Sequence, residues 1–204
     1  DNTNEYDISV IIVNYKSWTH LENCLKSLEG IDQNSFSFEV IIVDNNSNDT
    51  KLDAFYRKFP TYKFVRNLGN YGFSSGNNFG MQLAKGEFLL FLNPDTIVEK
   101  NAILSQVQLA KQNLDYGIVS CTTLNIEGKA EKEIRFFPKV STFSGITRAI
   151  YQRVNKREIS EKFTKTKDVV FPDWVSGSLI FISKKWFELV GGWSEDYWLY
   201  FEDV

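Results

Sequence analysis

The chain has 204 residues, of which 43% are hydrophobic, so it is long enough to bury the core of one full domain. Its formal charge of -3 lacks the basic excess of nucleic-acid-binding proteins, and we expect no nucleic-acid partner. Its apolar runs are far shorter than the roughly 20 residues that span a bilayer.

Two further features bear on the cellular compartment. The amino terminus, DNTNEYD, is polar and acidic, unlike a secretory signal. The two cysteines, Cys24 and Cys121, lack the CxxC spacing of redox and metal motifs. We therefore expect a reduced, cytoplasmic protein.

Strand and helix patterns alternate along the first 124 residues. Continuous β-branched runs predict buried strands, and an apolar stripe at helical spacing after the first strand predicts a helix. Thr19 and Glu22 fit a capping box at the start of this helix, and Gly30 fits its C-cap. The strands are predicted at Ile8–Val13, Val40–Val43, Tyr62–Val65, Glu87–Leu92 and Gly117–Leu124. Helices are predicted before Gly30, around Leu52–Phe59, after the Gly-rich passage near Gly72, and at Ile97–Gln112.

This order predicts an α/β fold in which helices flank both faces of a mostly parallel sheet. No repeat or low-complexity linker interrupts the chain, so we predict a single domain over residues 1–204. A later strand and a short helix are predicted at Trp174–Ser183 and Lys184–Val190. The sequence stops on an acid pair without a further element, and we expect that the carboxyl-terminal portion of the domain is truncated.

The segment between Pro138 and Asp168 has a different character. It carries eight Lys or Arg residues against three acids, with apolar residues at roughly helical spacing. Two interpretations stay open. The segment forms a flap or lies on an anionic membrane surface, or it is a solvated helix packed on the domain.

The first strand excludes the commonest nucleotide-binding motifs of α/β proteins. It runs into residues 13–18, VNYKSW, which contain none of the glycines of a dinucleotide-binding turn. The sequence also has no GxxxxGK[ST] segment, which excludes a P-loop.

Polar residues follow the second strand. Asp44, Asn45, Asn46 and Ser47 place one carboxylate and two amides at the strand's carboxyl end, where ligands bind in open α/β sheets. These groups can hydrogen-bond a base or a ribose. The alternative is an Asx-rich turn that caps the next helix.

Three glycines recur every four residues in NLGNYGFSSGNNFG. Glycine costs roughly 1 kcal/mol in a helix relative to alanine, so close packing on the sheet or close approach of a ligand must compensate. Packing alone would not explain the interleaved amides, and we predict that a ligand contacts this segment. The residues concerned are Gly72, Gly76, Gly80, Asn67, Asn70, Asn77 and Asn78.

A buried strand ends on Asn93, Pro94 and Asp95. Mg²⁺ commonly binds through one or two carboxylates, with substrate phosphates and water completing its shell, so Asp95 suffices if the substrate carries a diphosphate. The alternative is a proline turn in which Asp95 or Thr96 caps the next helix. Strands that end after residues 13, 43 and 92 should share one sheet edge.

Two stretches remain near the carboxyl terminus. Trp174, Ser176 and Gly177 lie in WVSGS, and Glu202 and Asp203 follow an aromatic stretch. The acid pair is either a solvated terminus or a general base whose pKa is tuned by aromatic walls.

In this order, six stretches resemble the family 2 inverting glycosyltransferases of GT-A fold, and most of all bacterial rhamnosyltransferase-like members that act on cell-surface polysaccharide. The stretches are VIIVNYKSW, VIIVDNNSND, NLGNYGFSSGNNFG, FLLFLNPD, WVSGSLIFI and GGWSEDYWLYFEDV. The resemblance implies a nucleotide-binding half over about residues 1–124 and an incomplete acceptor-side half over about 125–204.

The resemblance also implies roles for single positions. Asp44 would read the base, Asn93 would face the ribose or donor sugar, and Asp95 would bind Mg²⁺ or Mn²⁺. Asp203, paired with Glu202, would be the catalytic base. The implied nucleotide-sugar pocket comprises Val13, Asn14, Tyr15, Asp44, Asn45, Asn67, Gly72, Asn77, Asn93, Trp174, Ser176 and Gly177. Asn93 stands where the family's DxD motif has its first Asp.

The implied activity is inverting transfer of a hexosyl or deoxyhexosyl group from a UDP- or dTDP-sugar to a saccharide or lipid-linked acceptor. The expected location is the cytoplasm, with peripheral contact at the inner face of the plasma membrane. A non-catalytic nucleotide- or partner-binding domain of the same fold is the alternative.

Overall fold

A computed structural model of the chain describes residues 4–125, 127–129, 169 and 171–197. Within these residues, the elements run in the order β1 (Tyr6–Asn14), α1 (Trp18–Glu29), β2 (Phe38–Asp44), α2 (Lys51–Lys58), β3 (Lys63–Arg66), α3 (Gly72–Gln82), β4 (Gly86–Leu92), α4 (Lys100–Gln112), β5 (Ile118–Val119), β6 (Leu179–Ser183) and α5 (Lys184–Leu189). No helix of this part is long and apolar enough to cross a bilayer.

The strands form a six-stranded sheet in the order β3-β2-β1-β4-β6-β5. The first four strands are parallel, whereas β6 runs antiparallel to both β4 and β5. Asn14 at the end of β1 is in register with Asp44 at the end of β2, and Ile11 is in register with Phe91 of β4. The predicted α/β fold with a mostly parallel sheet is confirmed.

Apolar side chains cover both faces of the sheet, which is why its central strands read as continuous hydrophobic runs. Along β1, Ile8, Val10 and Ile12 join a cluster with α1, α2 and α4. Ile11 joins the opposite cluster, which includes residues of α3 and α5. Every one of these four isoleucine and valine side chains is fully buried.

The start of α1 differs from the prediction. The N-cap is Ser17, so the capping box with Thr19 was wrong, and Glu22 instead forms ion pairs with two lysines. The helix begins at Trp18 because that ring is buried, lies 5.0 Å from the Phe55 ring, and draws the first turn into the core. The C-cap at Gly30 is confirmed.

Three further boundaries were misplaced. Helix α4 begins at Lys100 rather than Ile97, because Val98 is buried and its N–H donates to the Ser27 hydroxyl of α1. The N-cap is Glu99, so neither Asp95 nor Thr96 caps this helix. Strands β5 and β6 are shorter than predicted, with two and five residues.

Helix α3 lies unusually close to the sheet. A Cβ added at Gly80 would lie 2.5 Å from Cγ2 of Ile11, and one at Gly76 would lie 2.8 Å from Cγ1 of Val13. The close-packing interpretation therefore accounts for these two glycines without a ligand. The contact fixes the amino end of α3 beside the carboxyl ends of β1 and β2.

This contact predicts a stability effect at Gly80. Gly80→Ala should lower the free energy of unfolding by about 1–2 kcal/mol, because overpacking against the rigid Ile11 outweighs the gain in helix propensity. Gly117→Ala is the control, since a Cβ at Gly117 meets nothing within 4 Å. Urea unfolding measures both. Equal midpoints for the two variants would contradict the close-packing account.

Candidate active site

The loops that follow β1, β2 and β4 emerge at one edge of the sheet. Strand β1 lies between the other two, and all three are parallel, so their carboxyl ends point the same way. Tyr15, Asp44 and Asp95 therefore lie along one edge, as the sequence predicted. Their chemical roles remain predictions.

Asp44 is a buried carboxylate bound into this edge, with 1% of its surface exposed. Its Oδ1 accepts from Asn14 Nδ2 at 3.4 Å and from the Ser47 hydroxyl, and its Oδ2 accepts from the Ser47 N–H at 3.2 Å. Arg66 Nε lies 3.9 Å from Oδ2, too far for a hydrogen bond. Three donors thus offset much of the desolvation of the charge.

The loops after β1 and β2 are joined to each other. The Lys16 N–H donates to Ser47 Oγ at 2.9 Å, and the Trp18 indole N–H donates to Asp49 at 2.8 Å. Lys16, Asn46 and Asn48 have φ values of 56°, 57° and 53°, the left-handed region that non-glycine residues rarely adopt. Such backbone strain concentrates at functional sites.

A network of amides joins the loop after β2 to the amino end of α3. Asn45 Nδ2 donates to the Gly72 carbonyl at 2.8 Å, and Asn67 Nδ2 donates to Asn45 Oδ1 at 3.2 Å. Gly72 itself has a φ of 91°, which favours glycine. Asn77 is buried and donates to the Phe73 carbonyl within α3. These amides bond to each other and to the backbone and so fix the shape of the loops; Asn45 is buried and Asn67 is half-buried.

The segment before β6 lies beside the end of β4. The Asn93 N–H donates to the Ser178 carbonyl at 3.0 Å, and the Ser178 N–H donates to Ser176 Oγ at 3.4 Å. Gly177, between them, is buried, and Trp174 is half-buried. The structure thus brings the predicted WVSGS residues next to Asn93.

Asp95 differs from Asp44 in its surroundings. Its side chain is exposed and makes no hydrogen bond or ion pair with any residue in the part of the chain that the structure describes. That part also holds no cluster of three acidic, His or Cys side chains that could bind a metal. Both carboxylate oxygens of Asp95 are therefore available to a cation whose remaining ligands come from substrate and water, which fits Mg²⁺ or Mn²⁺.

Cys24 of α1 lies beneath the same loop, a contact that sequence analysis missed. Its Sγ is 4.0 Å from the Asn93 carbonyl oxygen. Burial, and secondarily the negative charge of Asp95, raises the pKa of the Cys24 thiol to about 12. The thiol therefore stays protonated and acts as a small apolar support for the loop.

Ser47 and Lys16 are the other residues at this edge that sequence analysis did not assign. The Asx-rich pattern around Asn46 indicated a turn that caps the next helix. A turn is present, because the Ser47 N–H donates to Asp44 Oδ2 at 3.2 Å, but the N-cap of α2 is Thr50 and its side chain makes no capping bond. Nothing in the pattern showed that Ser47 would bond two loops at once.

Glu202, Asp203 and the basic segment near residues 139–167 lie outside the described residues.

Known proteins resemble this chain along most of its length. The family described as Glycosyl transferase family 2 matches residues 9–175. The low-salt glycan biosynthesis hexosyltransferase Agl10 of Haloferax volcanii is 28% identical over 97% of this chain and 59% of its own length. The rhamnosyltransferase WbbL of Escherichia coli K12 is 24% identical over 97% of this chain and 74% of its own.

Solved structures share the fold. S. aureus TarS, residues 1–349, superposes with a TM-score of 0.64 at 20% identity, over 97% of this chain and 52% of TarS; it has also been solved with UDP. The mannosyltransferase PcManGT of Pyrobaculum calidifontis, solved with GDP-Man and Mn²⁺, gives 0.64 at 20% identity over 96% and 50%. The chain thus spans between half and three quarters of the lengths of these proteins.

The joined loops predict a measurable role for Ser47. Ser47→Ala removes a donor to the buried Asp44 and the acceptor of the Lys16 N–H, so the free energy of unfolding should fall by about 1–3 kcal/mol. Ser35→Ala, in an exposed turn, is the control and should change it by less than about 0.5 kcal/mol. Chemical unfolding measures both, and a Ser47→Ala chain as stable as the control would contradict the assignment.

Proposed function

Because the chain belongs to glycosyl transferase family 2, we propose that it transfers a hexosyl or deoxyhexosyl group from a nucleoside-diphosphate sugar to a saccharide or lipid-linked acceptor. The transfer inverts the anomeric carbon and serves cell-surface polysaccharide synthesis. The observation that carries the proposal is the convergence of three loops, bearing Tyr15, Asp44 and Asp95, at one edge of the sheet.

The base of the donor binds between the loops after β1 and β2. Tyr15 is 46% exposed and offers its ring, while Val13 lies at the end of the strand behind it. Asp44 Oδ2 accepts one hydrogen bond within the described residues, so it retains capacity for a base N–H. Asn14 and Asn45 hold this pocket in shape, and the amino end of α3 borders the sugar and phosphates.

Asp95 holds the divalent cation, and Asn93 faces the ribose or the donor sugar. The Mn²⁺ present with PcManGT supports this assignment, as does the unpaired state of Asp95 among the described residues. Bound there, Mg²⁺ or Mn²⁺ neutralises charge that develops on the leaving diphosphate. Asp95 thereby also sets the end of the site from which the leaving group departs.

Asp203, with Glu202, removes the proton from the acceptor hydroxyl on the other side of the sugar. Attack from the side opposite the leaving diphosphate inverts the configuration in one displacement. Trp174, Ser176 and Gly177, placed beside Asn93, shape the donor-sugar and acceptor space between them. UDP- and dTDP-sugars are the proposed donors, which the TarS complex with UDP supports.

The enzyme works in the cytoplasm, with peripheral contact at the inner face of the plasma membrane where lipid-linked acceptors reside. The second candidate is a domain of the same fold that binds nucleotides or partners without turnover. The observation in its favour is the single carboxylate of the metal motif, since Asn93 replaces the other acid.

Loss of the Asp95 carboxylate should remove the metal dependence of nucleotide binding. Titration calorimetry with UDP, dTDP and GDP, with and without Mn²⁺, should show tighter binding with Mn²⁺ for the wild-type chain. In Asp95→Asn that enhancement should fall at least tenfold. Glu99→Gln removes an exposed acid four residues away and should retain it. Undiminished Mn²⁺ enhancement in Asp95→Asn would contradict the metal assignment.

Loss of the Asp203 carboxylate should slow transfer while leaving donor binding intact. Asp203→Asn should release nucleoside diphosphate from the donor about 10²–10⁴-fold more slowly, the usual contribution of a general base. Asp196→Asn, which changes an exposed acid seven residues earlier in the sequence, is the control. Wild-type turnover in Asp203→Asn would exclude it as the base, and a wild-type chain that binds nucleotide but turns over no sugar would favour the binding domain.

A further inference from the structure

After α5 the chain turns back toward α3. Two consecutive glycines, Gly191 and Gly192, have φ values of 88° and 84°, and the reversal they make brings Trp193 against α3. The residue that receives it is Asn78, in the middle of that helix. Sequence analysis placed Asn78 in the segment predicted to contact a ligand, but none of the roles proposed for the donor site uses it.

Asn78 holds the returning segment at three points. Its Nδ2 donates to the Trp193 carbonyl at 2.9 Å, and its Oδ1 accepts from the Trp193 N–H at 3.0 Å. The same Nδ2 donates to Glu195 Oε1 at 2.8 Å. An amide that pairs with both backbone groups of one residue fixes the position and direction of the chain there.

We call the three hydrogen bonds from Asn78 to Trp193 and Glu195 the clamp. Neighbouring side chains further restrict the position of Trp193. The Trp193 side chain is 8% exposed, and its ring meets the Phe73 and Phe91 rings edge-on, at 5.4 Å in each case. A Cβ at Gly192 would lie 2.9 Å from Asn78 Oδ1, so a larger residue at position 192 would displace the amide, and the φ of 84° there also favours glycine. Phe73 lies in the first turn of α3, and Phe91 precedes the last residue of β4, so Trp193 lies just under the edge that bears the site.

The segment that Asn78 binds comes shortly before the proposed catalytic base in the sequence, since Asp203 follows Glu195 by eight residues. We propose that Asn78 is a positioning residue for the catalytic base: its three hydrogen bonds to Trp193 and Glu195 set the point and direction from which the chain proceeds to Glu202 and Asp203. The inference rests on the proposed function, which makes Asp203 the base.

Geometry makes such a residue matter for turnover. A general base acts only within about 2.6–3.2 Å of the proton it removes, and a misplacement of 1 Å can cost about 10²-fold in rate. Gly191 and Gly192 can adopt many backbone conformations. Without the Asn78 hydrogen bonds, the segment that follows them would therefore not be held in one position. Donor affinity depends mainly on the loops after β1, β2 and β4, and none of the three hydrogen bonds of the clamp goes to those loops.

The test separates hydrogen bonding from packing. Asn78→Ala removes all three bonds. The near-isosteric Asn78→Asp keeps only the acceptor for the Trp193 N–H, and it places the new carboxylate beside that of Glu195. Both variants should lose at least tenfold in kcat, with donor KM within twofold of wild type. The assay is release of nucleoside diphosphate from UDP-, dTDP- or GDP-hexose with Mn²⁺, on full-length chains well below their melting temperatures. Gln82→Ala, exposed on the same helix, is the control.

Conservative repair supplies the second readout. In Asn78→Asp with Glu195→Gln, the new amide at 195 donates to the new carboxylate at 78, so part of the lost kcat should return. Wild-type kcat in Asn78→Asp, or a rise in KM that matches the fall in kcat, would overturn the positioning role.

A double-mutant cycle distinguishes failure of this inference from failure of the proposed function. If Asn78 acts through Asp203, adding Asn78→Ala to Asp203→Asn should lower kcat by less than threefold further, because coupled residues are not additive. An undiminished tenfold loss in that background would overturn the positioning role alone. Full turnover by Asp203→Asn would instead overturn the base assignment, and the inference with it.

Discussion

The candidate site is organised around a buried charge, the Asp44 carboxylate. A carboxylate removed from water is costly unless donors surround it, and here the donors are Asn14, at the end of β1, and Ser47, in the turn that follows Asp44 itself. Satisfying Asp44 therefore forces the two loops together. The left-handed conformations of Lys16, Asn46 and Asn48 persist because these bonds hold the backbone there.

Helix α3 extends the same organisation across the sheet. Its glycines let it sit directly on Ile11 and Val13, and the amides of Asn45 and Asn67 then connect its amino end to the loop after β2. At its middle, Asn78 binds the chain that returns after α5. One helix thus links the loops after β1 and β2 to the segment that precedes the acid pair in the sequence.

Much of this could be read from the sequence, and the physical reasons for the rest are specific. Buried parallel strands are continuous apolar runs, so their order and shared edge were predictable. The start of α1 was not, because it depends on burial of Trp18 against Phe55, a contact between distant elements. The bond between Asn78 and Trp193 spans 115 residues and left no periodic signal. Sequence patterns record local preferences and burial, whereas these contacts depend on tertiary geometry.

The two acids of the edge show how environment separates roles that the sequence cannot. Asp44 is 1% exposed and accepts three hydrogen bonds from Asn14 and Ser47, so its charge is used mainly within the protein. Asp95 is exposed and makes no such bond among the described residues, so its charge is available to a ligand.

In the sequence, Asp44 and Asp95 both follow a buried strand and are flanked by polar turn residues. The difference arises because the Ser47 hydroxyl after β2 and the Asn14 amide at the end of β1 both donate to Asp44. The loop after β4 instead bonds its Asn93 N–H to the Ser178 carbonyl and leaves Asp95 in solvent. Under the proposed function, a carboxylate without a partner among the described residues would bind a cation that takes most of its ligands from the substrate, and metal binding would then be coupled to donor binding.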